Sequence, residues 1–206
     1  MELVITATID LAEPSADGGF ITWIHADVAR GDAEPDDDSA DDAPAASLGQ
    51  IRVALIHVGK IEESGGDLLE VLDADSGDLE ALHHLYFDEE GDFLEEFAQG
   101  AGPDLLYVAG VHIAEAWRGH GVELAIVRRL CDTLGTACEL AVVTYTEPAE
   151  AEAWLRMGFE VTRAPESGAC GYLHLALAFR HPRVVEAEDG ERFRVVPNPG
   201  PPEQHH

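Results

Sequence analysis

A short glycine-rich segment, Arg118-Gly119-His120-Gly121, has the residue types and spacing best suited to a chemical role. Glycines allow a tight turn and let a ligand approach the main chain closely. An apolar run precedes the segment and a helix-like pattern follows it, so we expect free backbone N–H groups at a positive helix end. That arrangement favours a phosphate or another anion. The segment is neither a Walker loop, since no Gly-Lys-Ser/Thr follows, nor a dinucleotide fingerprint, since the third glycine is missing.

The elements that position this turn are predicted from apolar spacing. Residues 105–113 form a short run of apolar and β-branched side chains, which indicates a buried strand. Val122, Ile126 and Leu130 recur four residues apart, which indicates a one-sided helix. The turn is therefore expected between a central strand and a packed helix.

The chain downstream continues in the same alternating way. Pro148 is expected in the first turn of a short helix, where proline is favoured, and Gly158 near the end of that helix. The predicted elements are a strand at Glu139–Tyr145, a helix at Ala149–Arg156, and strands at Phe159–Arg163 and Gly171–Phe179.

From about Leu105 to Phe179 the chain resembles the GNAT superfamily of acyl-CoA-dependent N-acyltransferases. Members carry an Arg/Gln-x-x-Gly-x-Gly/Ala turn after a central strand, and Arg118-Gly119-His120-Gly121 fits its first four positions. Members also have a Gly-Phe pair after a later short helix, which Trp154 to Phe159 fits. The resemblance implies an α/β (α+β) fold with a twisted, mixed, mostly antiparallel sheet, splayed central strands and flanking helices.

The resemblance also implies a cofactor and the residues that bind it. The cofactor is acetyl-CoA or another acyl-CoA, with its pyrophosphate at the glycine-rich turn. The implied cofactor-binding residues are Val111, Ile113, Arg118, Gly119, His120, Gly121, Val122 and Glu123.

Acyl transfer to an amine needs a base, an oxyanion stabiliser and an acid for the departing thiolate. In the family a backbone N–H of the central strand stabilises the oxyanion, here near Val111 to Ile113. His112 has the most suitable unperturbed pKa for a base, although simple alternation along the strand places it opposite Tyr107. The base candidates are Tyr107, His112 and Glu115, and the acid is Tyr145 or solvent.

Two positions depart from the family pattern. Glu123 stands where members have glycine or alanine, and a carboxylate about 5 Å from a phosphate would cost on the order of 3 kcal/mol at an effective dielectric near 20. Trp154 stands where many members have a tyrosine acid, and an indole N–H does not act as an acid. These departures leave two predictions open: an N-acetyltransferase, or a non-catalytic GNAT-like module whose acidic surface binds a basic protein.

Composition narrows the partners. The chain has 41 acidic and 12 basic residues, a net charge of −29, which repels nucleic acid and favours a cationic amine acceptor, either a small molecule or a peptide. An acidic host proteome would give the same balance. No apolar run reaches about 18 residues and no signal core is visible, so we expect no membrane span and a cytoplasmic location. Three scattered cysteines without CxxC spacing indicate reduced thiols, and no metal site is predicted.

The sequence predicts a GNAT-like domain at residues 1–180, with an acidic loop at 31–48, followed by a C-terminal hairpin and disordered tail at 181–206. The hairpin has an Asp189-Gly190 turn and is expected to extend the sheet or to cover a partner subunit in a homodimer. The other predicted elements are strands at Glu2–Asp10, Phe20–Arg30 and Gln50–Val58, and helical stretches at Leu68–Phe87 and Phe93–Gln99.

Overall fold

A computed structural model describes residues 3–9, 19–31, 47–166 and 169–198. Residues 32–46, which hold most of the predicted acidic loop, and residues 199–206 of the predicted tail lie outside this part. The main-sheet strands are β1 (Leu3–Ile9), β2 (Ile21–Arg30), β3 (Ser47–Ile56), β4 (Asp104–Ile113), β5 (Cys138–Tyr145), β6 (Glu160–Arg163) and β7 (Gly171–Ala176). The helices are α1 (Val58–Ser64), α2 (Leu68–Asp75), α3 (Gly77–Tyr86), α4 (Val122–Leu134) and α5 (Pro148–Arg156).

The seven strands form one sheet in the order β1-β2-β3-β4-β5-β7-β6. Every neighbouring pair is antiparallel except the central pair β4 and β5, which is parallel. This pair is bonded only as far as Val108 and Val143, and beyond that point the two strands diverge. The mixed, mostly antiparallel sheet with splayed central strands is thus confirmed.

Helices cover both faces of the sheet because each face carries its own set of apolar side chains. Leu105, Tyr107 and Leu140 pack with α1, α2 and α3 on one face. Leu106 and Val108 pack with α4 and α5 on the other face. The predicted helical stripe of α4 is confirmed, since Val122, Ile126 and Leu130 are all buried.

Two predicted helices differ from the structure. The stretch Leu68–Phe87 is broken at Ser76, whose extended backbone ends α2 and precedes α3, and its carbonyl accepts hydrogen bonds from Leu79 and Glu80. The prediction of a helix at Phe93–Gln99 was wrong. Phe93 forms a β-bridge with Phe87, and the Leu94 amide donates to the Tyr86 carbonyl, so extended pairing uses the first residues of that stretch.

Strand ends also shift. The structure ends β3 at Ile56, and Val58 starts the short helix α1, which the sequence pattern did not indicate. Strand β7 ends at Ala176 rather than at Phe179. Ser47 and Leu48, the last positions of the predicted acidic loop, belong to β3, and Leu48 is fully buried.

A C-terminal hairpin of β8 (Arg183–Glu186) and β9 (Phe193–Val196) is present but does not extend the main sheet. Its strands pair only with each other within the described residues. The hairpin lies against the start of α4, where the Phe193 amide donates to the His120 carbonyl at 2.7 Å. The hairpin therefore packs against the glycine-rich turn and supports it.

Cys131 and Cys138 are buried free thiols, and burial raises the pKa of each to about 12, so neither is a ready nucleophile at neutral pH.

None of the helices in the described ranges has the length and apolar character needed to cross a membrane.

Candidate active site

A cleft opens where β4 and β5 part. Its volume is about 570 Å³, within the range usual for small-molecule sites. The predicted site residues that line it are Val111, His112, Ile113, Arg118, Gly119 and Glu123. Six of the site residues predicted from the sequence therefore lie around one cavity.

A β-bulge in β4 shapes the mouth of the cleft. Val53 pairs with Val108 but Arg52 pairs with Gly110, so Ala109 is an extra residue on β4. The bulge lies where β4 loses β5 as a neighbour. From there to Ile113 the edge of β4 that faced β5 has no strand partner within the described residues.

The bulge corrects the expectation for His112. Directly paired residues share a face of the sheet, and Tyr107 pairs with Ala54 whereas His112 pairs with Gln50. These partners are four residues apart on β3, so Tyr107 and His112 lie on the same face, about 13 Å apart along the strand. Simple alternation failed because the extra residue inverts the pattern.

The turn before α4 leaves several backbone amides without partners among the described residues. Gly119 and Gly121 have φ of +76° and +73°, a region that favours glycine. Helix α4 begins at Val122, and no side chain caps its N-terminus. Among the described residues, nothing accepts a hydrogen bond from the amides of Gly119, Gly121, Val122 or Glu123. Together with the helix dipole, these four donors favour an anion.

The two glycines of the turn have different surroundings. A Cβ at Gly119 would meet no atom within 4 Å, so this glycine faces open space. A Cβ at Gly121 would lie 2.5 Å from the carbonyl oxygen of Phe193 in β9. Gly121 therefore makes room for the hairpin, whereas Gly119 faces the side from which a ligand can approach.

Other residues of the turn hold it in place. The Arg118 Nε donates to the Ile113 carbonyl at 3.2 Å, which ties the turn to the end of β4. The His120 ring packs edge-on against Trp117, with centroids 5.5 Å apart. Val122 is fully buried, so its side chain belongs to the core and does not line the cleft.

Glu123 lies on the wall of the cleft and is half-buried. Its carboxylate accepts no hydrogen bond from the amides of the turn within the described part of the chain. The N–H groups of the four amides therefore remain available as donors, and Glu123 adds a negative charge beside them.

The four predicted catalytic residues have separate places. His112 is exposed and lines the cleft. Tyr107 is buried in the core, and burial raises the pKa of its hydroxyl far above the ordinary value. Glu115 is exposed on a short 3-10 helix, and Tyr145 is buried with its ring against Gly171. Of the four, His112 alone is among the residues that line the cleft.

Sequence reasoning missed part of the wall, including Gly110, Thr144 and Glu150. Gly110 follows the bulge, and a glycine inside a strand pattern was the available signal. Glu150 forms a capping box with Glu147 at the start of α5, and its carboxylate accepts the Thr146 amide at 2.8 Å. The usual capping-box pattern begins with Ser, Thr, Asp or Asn, so Glu147 gave no such signal in the sequence. Trp154 also lines the cleft and packs on Phe159.

Neither a protein-family model nor a curated protein sequence matches the chain. Several solved structures are similar. NAA60 from Arabidopsis thaliana, in complex with acetyl-CoA, is 14% identical, with 77% of this chain and 78% of that chain covered and a TM-score of 0.41. A polyamine N-acetyltransferase from Drosophila melanogaster is 12% identical, with 74% of each chain covered and a TM-score of 0.44. FeeM, an N-acyl amino acid synthase from uncultured soil microbes, is 12% identical, with 85% and 91% covered and a TM-score of 0.42.

Proposed function

We propose that the protein is an acyl-CoA-dependent N-acyltransferase that transfers an acetyl group to an amine. The observation that carries the proposal is the cleft between the splayed strands, whose wall includes Gly119 and Glu123 of a turn in which four backbone amides have no acceptor among the described residues. An elongated ligand with a phosphate group at one end matches that combination.

The residues present fit the cofactor. The amides of Gly119, Gly121, Val122 and Glu123 would hold the pyrophosphate, helped by the dipole of α4. The free edge of β4, which includes Val111 and Ile113, would hold the extended amide-containing arm as an added strand would be held. When bound, acetyl-CoA supplies a thioester whose carbonyl is open to attack by an amine.

His112 is assigned as the base that accepts the proton of the acceptor amine. It is exposed and lines the cleft, and a neutral imidazole accepts protons near neutral pH. A backbone N–H of β4 between Val111 and Ile113 would stabilise the developing oxyanion. Trp154 is not an acid and Tyr145 does not line the cleft, so solvent would supply the second proton.

The acceptor is proposed to be a cationic amine. His112 shares an open face of the sheet with Asp27 and Gln50, and Gln50 Nε2 donates to the Asp27 carboxylate at 3.1 Å. On the same side Asp75 accepts a hydrogen bond from the Trp23 indole at 3.1 Å. Arg52 also lines this surface, but the two carboxylates and the net charge of −29 favour an ammonium group over an anionic acceptor.

Calorimetric titration of acetyl-CoA into the purified protein, followed by an acetyl-transfer assay over a panel of amines, tests the proposal. We expect saturable binding and transfer to at least one cationic amine. If acetyl-CoA does not bind at low or moderate salt, the acyltransferase assignment is wrong, and a salt-sensitive complex with a basic protein becomes the function to seek.

The base is tested with two matched variants. We expect His112→Gln to lower kcat/KM by roughly a hundredfold at neutral pH while leaving acetyl-CoA affinity unchanged. Tyr107→Phe, which removes a buried hydroxyl on the same face, should change kcat/KM less than about twofold. Equal rates for wild type and His112→Gln would exclude His112 as the base.

A further inference from the structure

A second cavity lies far from the cleft. It has a volume of about 430 Å³ and lies between α1, the start of α2, α3 and the loop after α3. Pro103, just before the first residue of β4, forms part of its wall, whereas the cleft uses Val108 to Ile113 of the same strand. At about 3.3 Å per residue, these walls are on the order of 20 Å apart.

The wall of this cavity combines carboxylates with apolar side chains. Glu62, Glu89, Glu90 and Asp92 contribute carboxylates that bond to no other described residue, and Asp67 also lines the cavity while accepting the Glu70 amide at 3.0 Å as the N-cap of α2. Val58, Ile61, Leu68 and Phe93 supply the apolar surface. No Lys or Arg is among the described residues that line it. An acidic surface alone would be ordinary for a chain with a net charge of −29.

His83 sets this cavity apart from a plain acidic surface. The residue is only 7% exposed, yet it lines the cavity, and its buried Nδ1 has no hydrogen-bond partner among the groups described here. Its ring is fixed by stacking on Phe87, with centroids 6.0 Å apart, and by an edge contact with His84. A buried polar atom without a partner is costly, so a group that occupies the cavity and bonds to Nδ1 would be stabilised.

The protonation state of His83 agrees with an acceptor role. Burial, and after it the neighbouring His84, lowers the pKa of His83 below its ordinary value, while Asp67 and Asp88 act in the opposite direction. The imidazole is therefore neutral at pH 7, and a neutral imidazole has one nitrogen that accepts a hydrogen bond.

We propose that this cavity binds a small organic cation of the primary alkylammonium class. The ammonium donates to His83 Nδ1 and to the carboxylates of the loop at residues 89–92, and the alkyl body packs on Ile61 and Phe93. A metal ion fits less well, because no three His, Cys, Asp or Glu side chains within the described ranges are placed to hold one. This site is separate from the proposed active site and does not depend on acyl transfer.

The test uses n-butylammonium as the probe and butan-1-ol as its uncharged counterpart, with the full-length protein and without acetyl-CoA. Amide chemical shifts in NMR should change in the loop at 89–93 and around residues 61–68, with a dissociation constant on the order of 1 mM for a ligand of this size. Butan-1-ol should produce no saturable shift. Shift changes centred instead on the end of β4, or equal binding of the alcohol, would overturn the proposal.

Two sets of variants separate specific binding from general attraction to an acidic protein. The triple variant Glu89→Gln, Glu90→Gln, Asp92→Asn should weaken binding about tenfold or more. The control triple variant Glu63→Gln, Asp73→Asn, Glu95→Gln changes net charge by the same amount at exposed positions outside the cavity, and its affinity should stay within about twofold of wild type. Equal weakening in both triples would show that only the overall charge attracts the ligand.

His83→Phe removes Nδ1 and keeps an aromatic ring against Phe87. We expect it to weaken n-butylammonium binding about fivefold or more while the thermal unfolding transition remains cooperative. Unchanged affinity in this variant would contradict the role given to His83 and overturn the proposal.

Discussion

Two turns of this chain each contain backbone amides that take no part in helix or strand hydrogen bonds. In one turn a carboxylate of the chain accepts these hydrogen bonds, and in the other no described group does. Residues 99–102 donate all four of their amides to the buried carboxylate of Glu139. The distances from Gly100, Ala101 and Gly102 are 2.8, 2.7 and 3.1 Å, and Gln99 donates as well. The turn at residues 119–123 has five amides: that of His120 donates to the Trp117 carbonyl, and the other four have no acceptor within the described residues.

The two turns differ in whether the chain itself supplies the anion. Glu139 is 2% exposed, and a buried carboxylate needs hydrogen-bond donors, which the amides of residues 99–102 supply. Gly119 is exposed, and its surroundings are open. The Gly119 amide can be satisfied by water or by a ligand, which leaves it available for a phosphate. The filled turn, residues 99–102, is structural, and the open turn, residues 119–123, is the proposed cofactor site.

The largest effect should come from breaking the filled turn. Glu139→Gln replaces one acceptor oxygen with an NH₂ group that faces amide donors, and we expect a loss on the order of 3 kcal/mol in the free energy of unfolding. Urea denaturation followed by circular dichroism measures it. Glu152→Gln, an exposed change of the same type on α5, should stay within about 0.5 kcal/mol of wild type. A loss below 1 kcal/mol in Glu139→Gln would contradict the structural role of the carboxylate.

A smaller effect, in the opposite direction, is expected at the open turn. Glu123 places a carboxylate on the wall of the cleft near the four amides, and this charge opposes an incoming pyrophosphate. Glu123→Gln should tighten CoA binding by roughly tenfold to a hundredfold, most clearly at low salt. Calorimetry with free CoA measures the change.

The control for Glu123 is Glu95→Gln, which raises the net charge by the same unit at an exposed position away from the cleft. Its CoA affinity should stay within about twofold of wild type. If both variants tighten binding equally, the effect comes from the overall charge, and Glu123 has no local role beside the turn.

The open turn was predictable from sequence and the filled one was not. Glycine spacing between an apolar strand and a one-sided helix predicted the turn before α4, because those signals are local. Glu139 appeared in the sequence only as the first residue of an apolar strand. Its partners lie 37 to 40 residues earlier, and no local pattern reports a contact of that separation.

The same distinction explains the other successes and failures. The strand at 105–113 and the stripe of Val122, Ile126 and Leu130 were predicted because a repeating apolar pattern defines them. The bulge at Ala109 was missed, since one extra residue leaves no repeating pattern, and it changed the face on which His112 lies. The placement of the hairpin behind Gly121 depended on packing between distant segments and was also missed.

The smallest predicted effects compare one glycine from each turn. Gly119 and Gly100 have φ of +76° and +83°, and a Cβ at either position would meet no atom within 4 Å. Alanine should therefore cost each variant a similar amount of stability, about 1 kcal/mol, from backbone strain alone. CoA affinity should separate them: Gly119→Ala should bind about tenfold more weakly because its methyl group occupies the approach to the amides, whereas Gly100→Ala should bind as wild type does. Equal CoA affinity in two equally destabilised variants would mean that the open turn is no more a ligand site than the filled one.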